Sequence, residues 1–425
     1  MFSLFGPIAS ARADLLTAFA MLALWSLLGI FLMWGHWGPD LGALYMAGYF
    51  FHNGQYDLIY AAPPSFFGGP AAQWLPSLES LGLGGEETFA YIYPPLWAAL
   101  AAPATAVLSP QAFGNLIYLL QVPLLGASAL LAAKLGRPAG LSYAAAAAIS
   151  LVLSLLLIPG KVALWHNQPT IAMIFLIILS FERLQANRPV AAGLALALAV
   201  ALKLTPAVFL LVWLLDRQWR ACFAFIIAVL VFALCSLLLA GIDLHLSFVA
   251  ATARASEFTL LTRVNMSALA ALIFAGSALG VSASIPMDVE TIILPAPAGL
   301  LGQLPGLALA FILLFTAWRI APLPAPQRRL TGLIAVSLAL PLFGPLGWAH
   351  YYLLPVLLVP GFVSLFPTAR YVLVLVVCLT PMLPWLFSME TSLPWVTAPH
   401  VWLHVACWVA LLAFVLAPQP RKHGL

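Results

Sequence analysis

RPVAAGLALALAVALKLTPAVFLLVWLLDR (residues 188–217) is the stretch whose reading decides the fold. Two apolar arms, 189–202 and 206–216, run between Arg188 and Arg217, and Lys203 stands at the apex with Leu204, Thr205 and Pro206. Arms of this composition belong in a bilayer, and basic residues at both ends hold both ends on its cytoplasmic face. The chain therefore enters and returns. Each arm is shorter than the ~20 residues of a full crossing, so Lys203 is expected below the outer surface, at the floor of a cavity. Non-helical backbone at that depth survives only where protein or water surrounds it.

The whole chain has this character. Of its 425 residues 64% are apolar and only 7% charged, against roughly 25% charged in a soluble globular protein. Mean hydropathy is +1.06. A soluble enzyme and a disordered scaffold are excluded. The net charge of +4 comes without a basic cluster able to follow a phosphate backbone, so no nucleic-acid partner is expected. Cys222, Cys235, Cys378 and Cys407 lie in apolar runs without a C-x-x-C pair and read as packing residues. The first apolar run, 15–33, is too long for a signal-peptide core and lacks a small-residue cleavage site, so it reads as a retained span.

The few charges sort cleanly. Arg12, Lys134/Arg137, Arg183/Arg188, Arg217/Arg220, Arg319, Arg328/Arg329, Arg370 and Arg421/Lys422 fall on the cytoplasmic side, 13 of the 17 basic residues. Lys161, Lys203, Arg254 and Arg263 fall outside, with all acids except Asp14, Glu182 and Asp216. The expected architecture is an all-α polytopic membrane protein, one domain over 1–425, with about twelve transmembrane helices and both termini cytoplasmic. The spans are 15–34, 112–133, 139–158, 169–183, 189–202, 206–216, 221–241, 300–318, 330–347, 351–366, 370–387 and 400–418. Outer loops cover 35–111, 242–299 and 388–399. The stretches 94–108 and 266–278 are too short, or of the wrong parity, to cross, and read as helices on or dipping into the outer surface. The cytoplasmic face has only short turns and no nucleotide-binding motif. The chemistry is expected outside.

Asp40 ends Trp37-Gly38-Pro39-Asp40, a fixed turn just past the first span. Its functional reading is a general base for an attacking hydroxyl; its structural reading is a solvated acid or the cap of a helix over 41–52. Asp57 reads as structural. An intramembrane lysine is costly, about 2.5–3.5 kcal/mol near the bilayer centre, so Lys203 needs an anionic partner, unless it snorkels to the interface. A phosphate suits it, and so does Asp40. His350 and His166 end apolar runs at outer turns and are placed to donate hydrogen bonds to a phosphate or sugar, or to sit among interfacial aromatics. Arg254 and Arg263 would complete an electropositive pocket with Lys203 and His350. His400 and His404 have i,i+4 spacing but lack an evident third ligand, so neither metal nor other cofactor is expected.

Taken in order, these pieces resemble the integral-membrane GT-C glycosyltransferases, and most closely glycosyltransferase family 87. The resemblance rests on Asp40 after the first span, a long outer loop ending in Tyr93-Pro94-Pro95-Leu96, and the apex Lys203-Leu204-Thr205-Pro206 after Ala192-Gly193. It continues at Asn265-x-Ser267 and His350-Tyr351-Tyr352. It implies a GT-C-like fold with extracytoplasmic juxtamembrane helices, Asp40 as catalytic base, and a site helix at the Tyr-Pro-Pro motif. It further implies a donor phosphate held by Lys203, His350, Arg254 and Arg263, with substrate contacts at Tyr93, His166, Asn167, Gln168, Asn265 and Tyr351. Asn167-Gln168-Pro169-Thr170 departs from the family pattern, with Asn where a Gly is usual and a Pro after the Gln. No D-x-D occurs.

The chemistry expected from this resemblance is inverting transfer of a mannose or related hexose or pentose from a polyprenyl-phosphate donor to a glycolipid or glycan acceptor at the outer face of the cell membrane. A leaving phosphate calls for cations, and an acceptor hydroxyl calls for a positioned carboxylate. The competing readings are a secondary transporter or lipid flippase, a lipid-linked oligosaccharide ligase or polymerase, and a non-catalytic assembly subunit. A transporter would place functional charge within several spans, whereas here it is nearly confined to Lys203.

Overall fold

Proline opens many of the helices of this protein. Pro39, Pro95, Pro110, Pro159 and Pro189 each occupy one of the first two helical positions, where a missing N–H costs nothing and the fixed φ suits the helix. Ser109 and Ser142 cap two of the long helices, accepting from Ala112 N at 3.3 Å and from Ala145 N at 3.1 Å. The computed structural model describes residues 11–278, 291–296, 300–366, 369–384 and 399–417. Among these residues the chain is helical apart from turns and one antiparallel pair of short strands, Phe258–Thr262 with Thr291–Pro295.

Four helices are long and apolar enough to cross a membrane: Ala11–Met33, Pro110–Gly136, Trp219–Ala255 and Gln303–Ile320. A fifth is made by Tyr143–Leu156 and Ile158–Trp165 if that bent pair is one span. Only 6% of the apolar window of Ala11–Met33 is buried, against 56% for Pro110–Gly136. The first therefore lines the outside, with Leu27 and Phe31 exposed, as on a surface that meets lipid. The second is an internal column. Four shorter apolar helices, Pro189–Leu202, Thr205–Leu215, Tyr371–Met382 and Val401–Leu416, fall where further crossings are expected. The 14 residues of Pro189–Leu202 reach about 21 Å at 1.5 Å per residue, less than a hydrocarbon core of ~30 Å. These helices establish an all-α membrane protein; the count of twelve rests on the charge pattern alone.

One expected crossing ends in a sharp bend and another is broken within its length. The chain bends by 72° between Tyr143–Leu156 and Ile158–Trp165. The stretch 351–366 is split into a 3₁₀ turn, Ala349–Tyr352, and two short helices, Leu353–Leu357 and Val359–Leu365, with Pro355 and Pro360 removing backbone donors. All but the last residue of the loop expected at 388–399 lies outside the described residues. So do Asp288, Arg421, Lys422 and the side chains of Arg370 and His400.

The first loop folds as a layer with its own core, built around Trp37, Tyr45, Phe50, Trp74, Tyr91 and Phe113. Within it, Pro39–His52 packs on Pro95–Thr105. The latter is an 11-residue helix, too short to cross on its own. Trp219–Ala255 joins this layer after a break at Gly241, whose φ of 73° and ψ of 165° are open only to glycine. That break falls where the sequence ends a crossing at 241 and starts an outer loop at 242. Beyond it Leu244 enters the outer core and Phe248 lies 5.8 Å from Tyr60.

The three acids grouped with the basic residues by sequence lie far from this layer. Asn115, near the start of Pro110–Gly136, accepts from Gly35 N at 2.9 Å. Lys134, 19 residues on and about 28 Å along the axis, pairs with Glu182 at 2.5 Å, as does Arg183. Asp216 pairs with Arg328 at 3.1 Å and Arg329 at 2.6 Å. Asp14 accepts from Tyr143 N and Ala144 N at 2.7 and 2.9 Å, closing the first turn of the following helix.

Candidate active site

Asp40 sits in the first turn of Pro39–His52, where the helix dipole favours a carboxylate. Its Oδ2 lies 3.0 Å from His166 Nδ1, and the side chains are 20% and 26% exposed, so both remain within reach of solvent. His166 ends the helix Ile158–Trp165. The next residue, Asn167, takes a left-handed φ of 49°, the conformation that closes a helix C-terminus and that asparagine tolerates better than other non-glycine residues. That is the physical reason an asparagine can replace glycine here. The Asn167 side chain is fully buried and accepts from Gln121 Nε2 at 2.7 Å. Gln168 is buried beside it, with its Oε1 3.4 Å from Thr170 Oγ1. Of these two residues, expected to touch a sugar, Asn167 turns its side chain to the helix Pro110–Gly136 and Gln168 turns its own toward Thr170.

Lys203 follows the last residue of Pro189–Leu202. Its ammonium donates to the Tyr351 hydroxyl and stands 4.2 Å from the centroid of that ring. The apex is held from the outer layer by Trp97, whose Nε1 donates to the Ala201 carbonyl at 2.6 Å. Tyr93 lies at the mouth of the Tyr-Pro-Pro helix, its carbonyl accepting from Tyr60 at 2.8 Å. Burial, then the Asp40 carboxylate and Tyr351, push its phenol well above the usual range, so Tyr93 stays protonated as a hydrogen-bond donor.

His350 is buried, stacked on Trp348 at 6.3 Å and set edge-on to Tyr351 at 4.6 Å. Burial, then Lys203 and His166, hold its imidazole well below the usual range, so it is neutral. Its Nε2 is buried without a hydrogen-bond partner. Asn265 fixes this segment: its Oδ1 accepts from Gly347 N at 2.9 Å and its Nδ2 donates to Leu260 O at 2.6 Å. The backbone bonds Met266 N to Gly347 O, at 2.7 Å, and Ala349 N to Val264 O, at 2.8 Å, complete the clasp. Asn265, expected at the substrate, is 1% exposed and acts as a brace.

Asp40 with His166 and Lys203 with Tyr351 make direct hydrogen bonds, His350 stands edge-on to Tyr351, and Tyr93 and His350 lie within electrostatic range of Asp40 and of Lys203, respectively. Five separate segments supply them. Arg254 lies elsewhere, donating to the carbonyls of Pro63 and Pro64 at 3.2 and 3.1 Å, so it serves as a strut of the outer layer. Arg263 stands in the turn after Phe258–Thr262, two residues before Asn265. Sequence reasoning missed Trp97 and Phe89, and it read Gly38 as part of the fixed turn but not as the seat on the His166 turn. Phe89 stacks on His166 at 5.9 Å, and nothing local in the sequence signals that pairing. Trp97, two residues beyond the Pro-Pro pair, was open to notice. Among the described residues no group of three or more His, Cys, Asp or Glu is placed to hold a metal ion.

A family model, Glycosyltransferase family 87, matches residues 91–345, more than half of the chain. The matched segment contains Tyr93, His166, Lys203 and Asn265; Asp40 lies before it, and His350 and Tyr351 just after. No curated protein matches the chain.

Proposed function

Because this chain belongs to glycosyltransferase family 87 and is a GT-C type membrane glycosyltransferase, we propose that it takes its sugar from a polyprenyl phosphate. The sugar, a mannose or related hexose or pentose, passes with inversion to a lipid or glycan acceptor on the outer face of the cell membrane. The observation that carries this reading is the two contacts Asp40–His166 and Lys203–Tyr351, with His350 edge-on to Tyr351, which set a solvent-reachable carboxylate and an ammonium among polar and aromatic side chains. The cluster lies at the end of the bundle away from the paired cytoplasmic-type charges.

In this reading the acceptor O–H breaks and its proton goes to Asp40. The acceptor oxygen bonds to the anomeric carbon, and the bond from that carbon to the phosphate oxygen breaks with its electron pair leaving on the phosphate. Lys203, Tyr351 and the buried His350 Nε2 receive that anion, which supplies the partner that His350 Nε2 lacks. An oriented base of this kind contributes about 10²–10⁴ in rate. Fixed donors at the leaving oxygen add a further electrostatic share.

Purified protein in liposomes should transfer sugar from a polyprenyl-phosphate donor and not from a nucleotide sugar. Efficient use of the nucleotide sugar overturns the donor assignment. Mass spectrometry of envelope glycolipids with and without the gene identifies the sugar, and an unchanged glycolipid and glycan profile overturns the outer-face acceptor.

A further inference from the structure

The backbone of His166 is fixed on both sides and one face of its ring is covered, while the side chain remains 26% exposed. Phe89 lies parallel to its face, with 15° between the ring planes. The backbone on either side is fixed: His166 N donates to Val162 O at 3.0 Å, and Asn167 N donates to Leu164 O at 3.0 Å. Tyr118 donates to that same Leu164 carbonyl at 3.0 Å. The entry to the Asp40 helix leaves no room for this turn to shift, because a β-carbon at Gly38 would stand 2.8 Å from the His166 carbonyl oxygen. A ring carried by a fixed turn keeps its Nδ1 in one place relative to Asp40. Its Nδ1, 3.0 Å from Asp40 Oδ2, faces an oxygen that, when ionised, can only accept. Nδ1 therefore carries the hydrogen.

We propose that His166 is a positioning residue for the base, acting through Nδ1–H on Asp40 Oδ2 so that Oδ1 is the oxygen left to take the acceptor proton. One carboxylate oxygen is anchored and the other is aimed. The inference rests on the reading of Asp40 as the base and adds to it which oxygen reacts, and that His166 touches the carboxylate rather than the sugar. Freeing the carboxylate to rotate costs turnover through misplacement without removing a substrate contact.

Asparagine and glutamine separate the two ring nitrogens, since an Asn amide mimics a donor at Nδ1 and a Gln amide one at Nε2. His166→Asn should keep kcat within about threefold of wild type. His166→Gln and His166→Ala should lower kcat by about 10-fold or more, with KM for donor and acceptor unchanged. Added imidazole should restore part of the His166→Ala rate. A His166→Gln variant more active than His166→Asn, or losses that appear in KM, would place His166 on the substrate and overturn the proposal. ¹⁵N-histidine spectra of the protein in nanodiscs provide a readout independent of turnover. The Nδ1–H tautomer of His166, assigned by its loss in His166→Gln, should be present in wild type and lost in Asp40→Ala. Its persistence there overturns the pairing. Wild-type protein that keeps this tautomer but fails with every polyprenyl-phosphate donor would instead count against the proposed function alone.

Discussion

Gly38 and Asn167 approach so closely that a β-carbon on Gly38 would stand 2.5 Å from the Asn167 β-carbon. The turn entering the Asp40 helix is thus seated directly on the turn carrying His166. The position of the carboxylate is set by backbone contact between segments more than a hundred residues apart in sequence.

Gly38→Ala tests that seat. The added methyl meets backbone that cannot swing aside, at a cost of about 1–3 kcal/mol of overpacking. The melting temperature should fall and transfer should drop by about tenfold or more as Asp40 shifts. Wild-type melting and wild-type turnover together would show that the two turns can separate freely.

Asp40→Asn keeps size and removes the proton acceptor. Turnover should fall by about 10²–10⁴-fold while yield, melting temperature and donor binding stay near wild type. Retention of more than about a tenth of the activity, well above that range, would exclude Asp40 as the base.

Lys203→Met preserves the apolar stem but not the charge offered to the phosphate. The KM for the lipid donor should rise more than that for the acceptor. Lys203→Arg should recover only part of the loss, because a planar fork replaces a compact ammonium. Unchanged donor KM in Lys203→Met would move the phosphate site away from the apex.

Asn265→Ala strips the brace beneath His350 and Tyr351. It leaves Gly347 N–H and the Leu260 carbonyl without their side-chain partner, and each group left unsatisfied costs about 1–3 kcal/mol. A lower melting temperature should accompany weaker donor binding. Asn265→Asp, which still accepts from Gly347, should fall between wild type and Asn265→Ala. Full stability of Asn265→Ala would return Asn265 to the list of substrate contacts.

The orientation is tested with single cysteines in a background where the four native cysteines are replaced. Gly84→Cys should react with an impermeant maleimide on intact cells, and Arg137→Cys only after permeabilisation. The motive is the 13-to-4 split of basic residues. The opposite labelling pattern would invert the scheme.

What the sequence made legible was whatever is local or chemically costly. Lys203 stands out because an apolar hairpin tolerates such a residue only for a reason. Asp40 stands out because glycine and proline fix its turn. The boundary at 241–242 could be placed because apolar character gives way there to Asp243 and His245, and the structure breaks the helix at Gly241. Long-range contacts were not legible. The spacing of residues does not reveal that Asn265 clasps Gly347, that Asn167 turns inward to Gln121, or that Arg254 reaches back to Pro63. The bend between Leu156 and Ile158 falls at the end of the span read over 139–158, but the short helix Ile158–Trp165 beyond it was not signalled.

That the Lys203 ammonium bonds Tyr351, while Asp40 lies near the start of the chain, has a consequence for the order in which the protein comes into being. Asp40 and Tyr351 are 311 positions apart, and at typical rates of synthesis of about 5–20 residues per second the ribosome needs roughly 15–60 s to pass from one to the other. During that interval the outer layer, which has a core of its own, can already be folded around a carboxylate whose partners have not yet been made. A nascent chain halted before residue 350 would hold Asp40 and Lys203 without His350 and Tyr351. On the proposed reading of this cluster as the active site, the protein gains activity only once positions 350 and 351 have been made, near the end of translation.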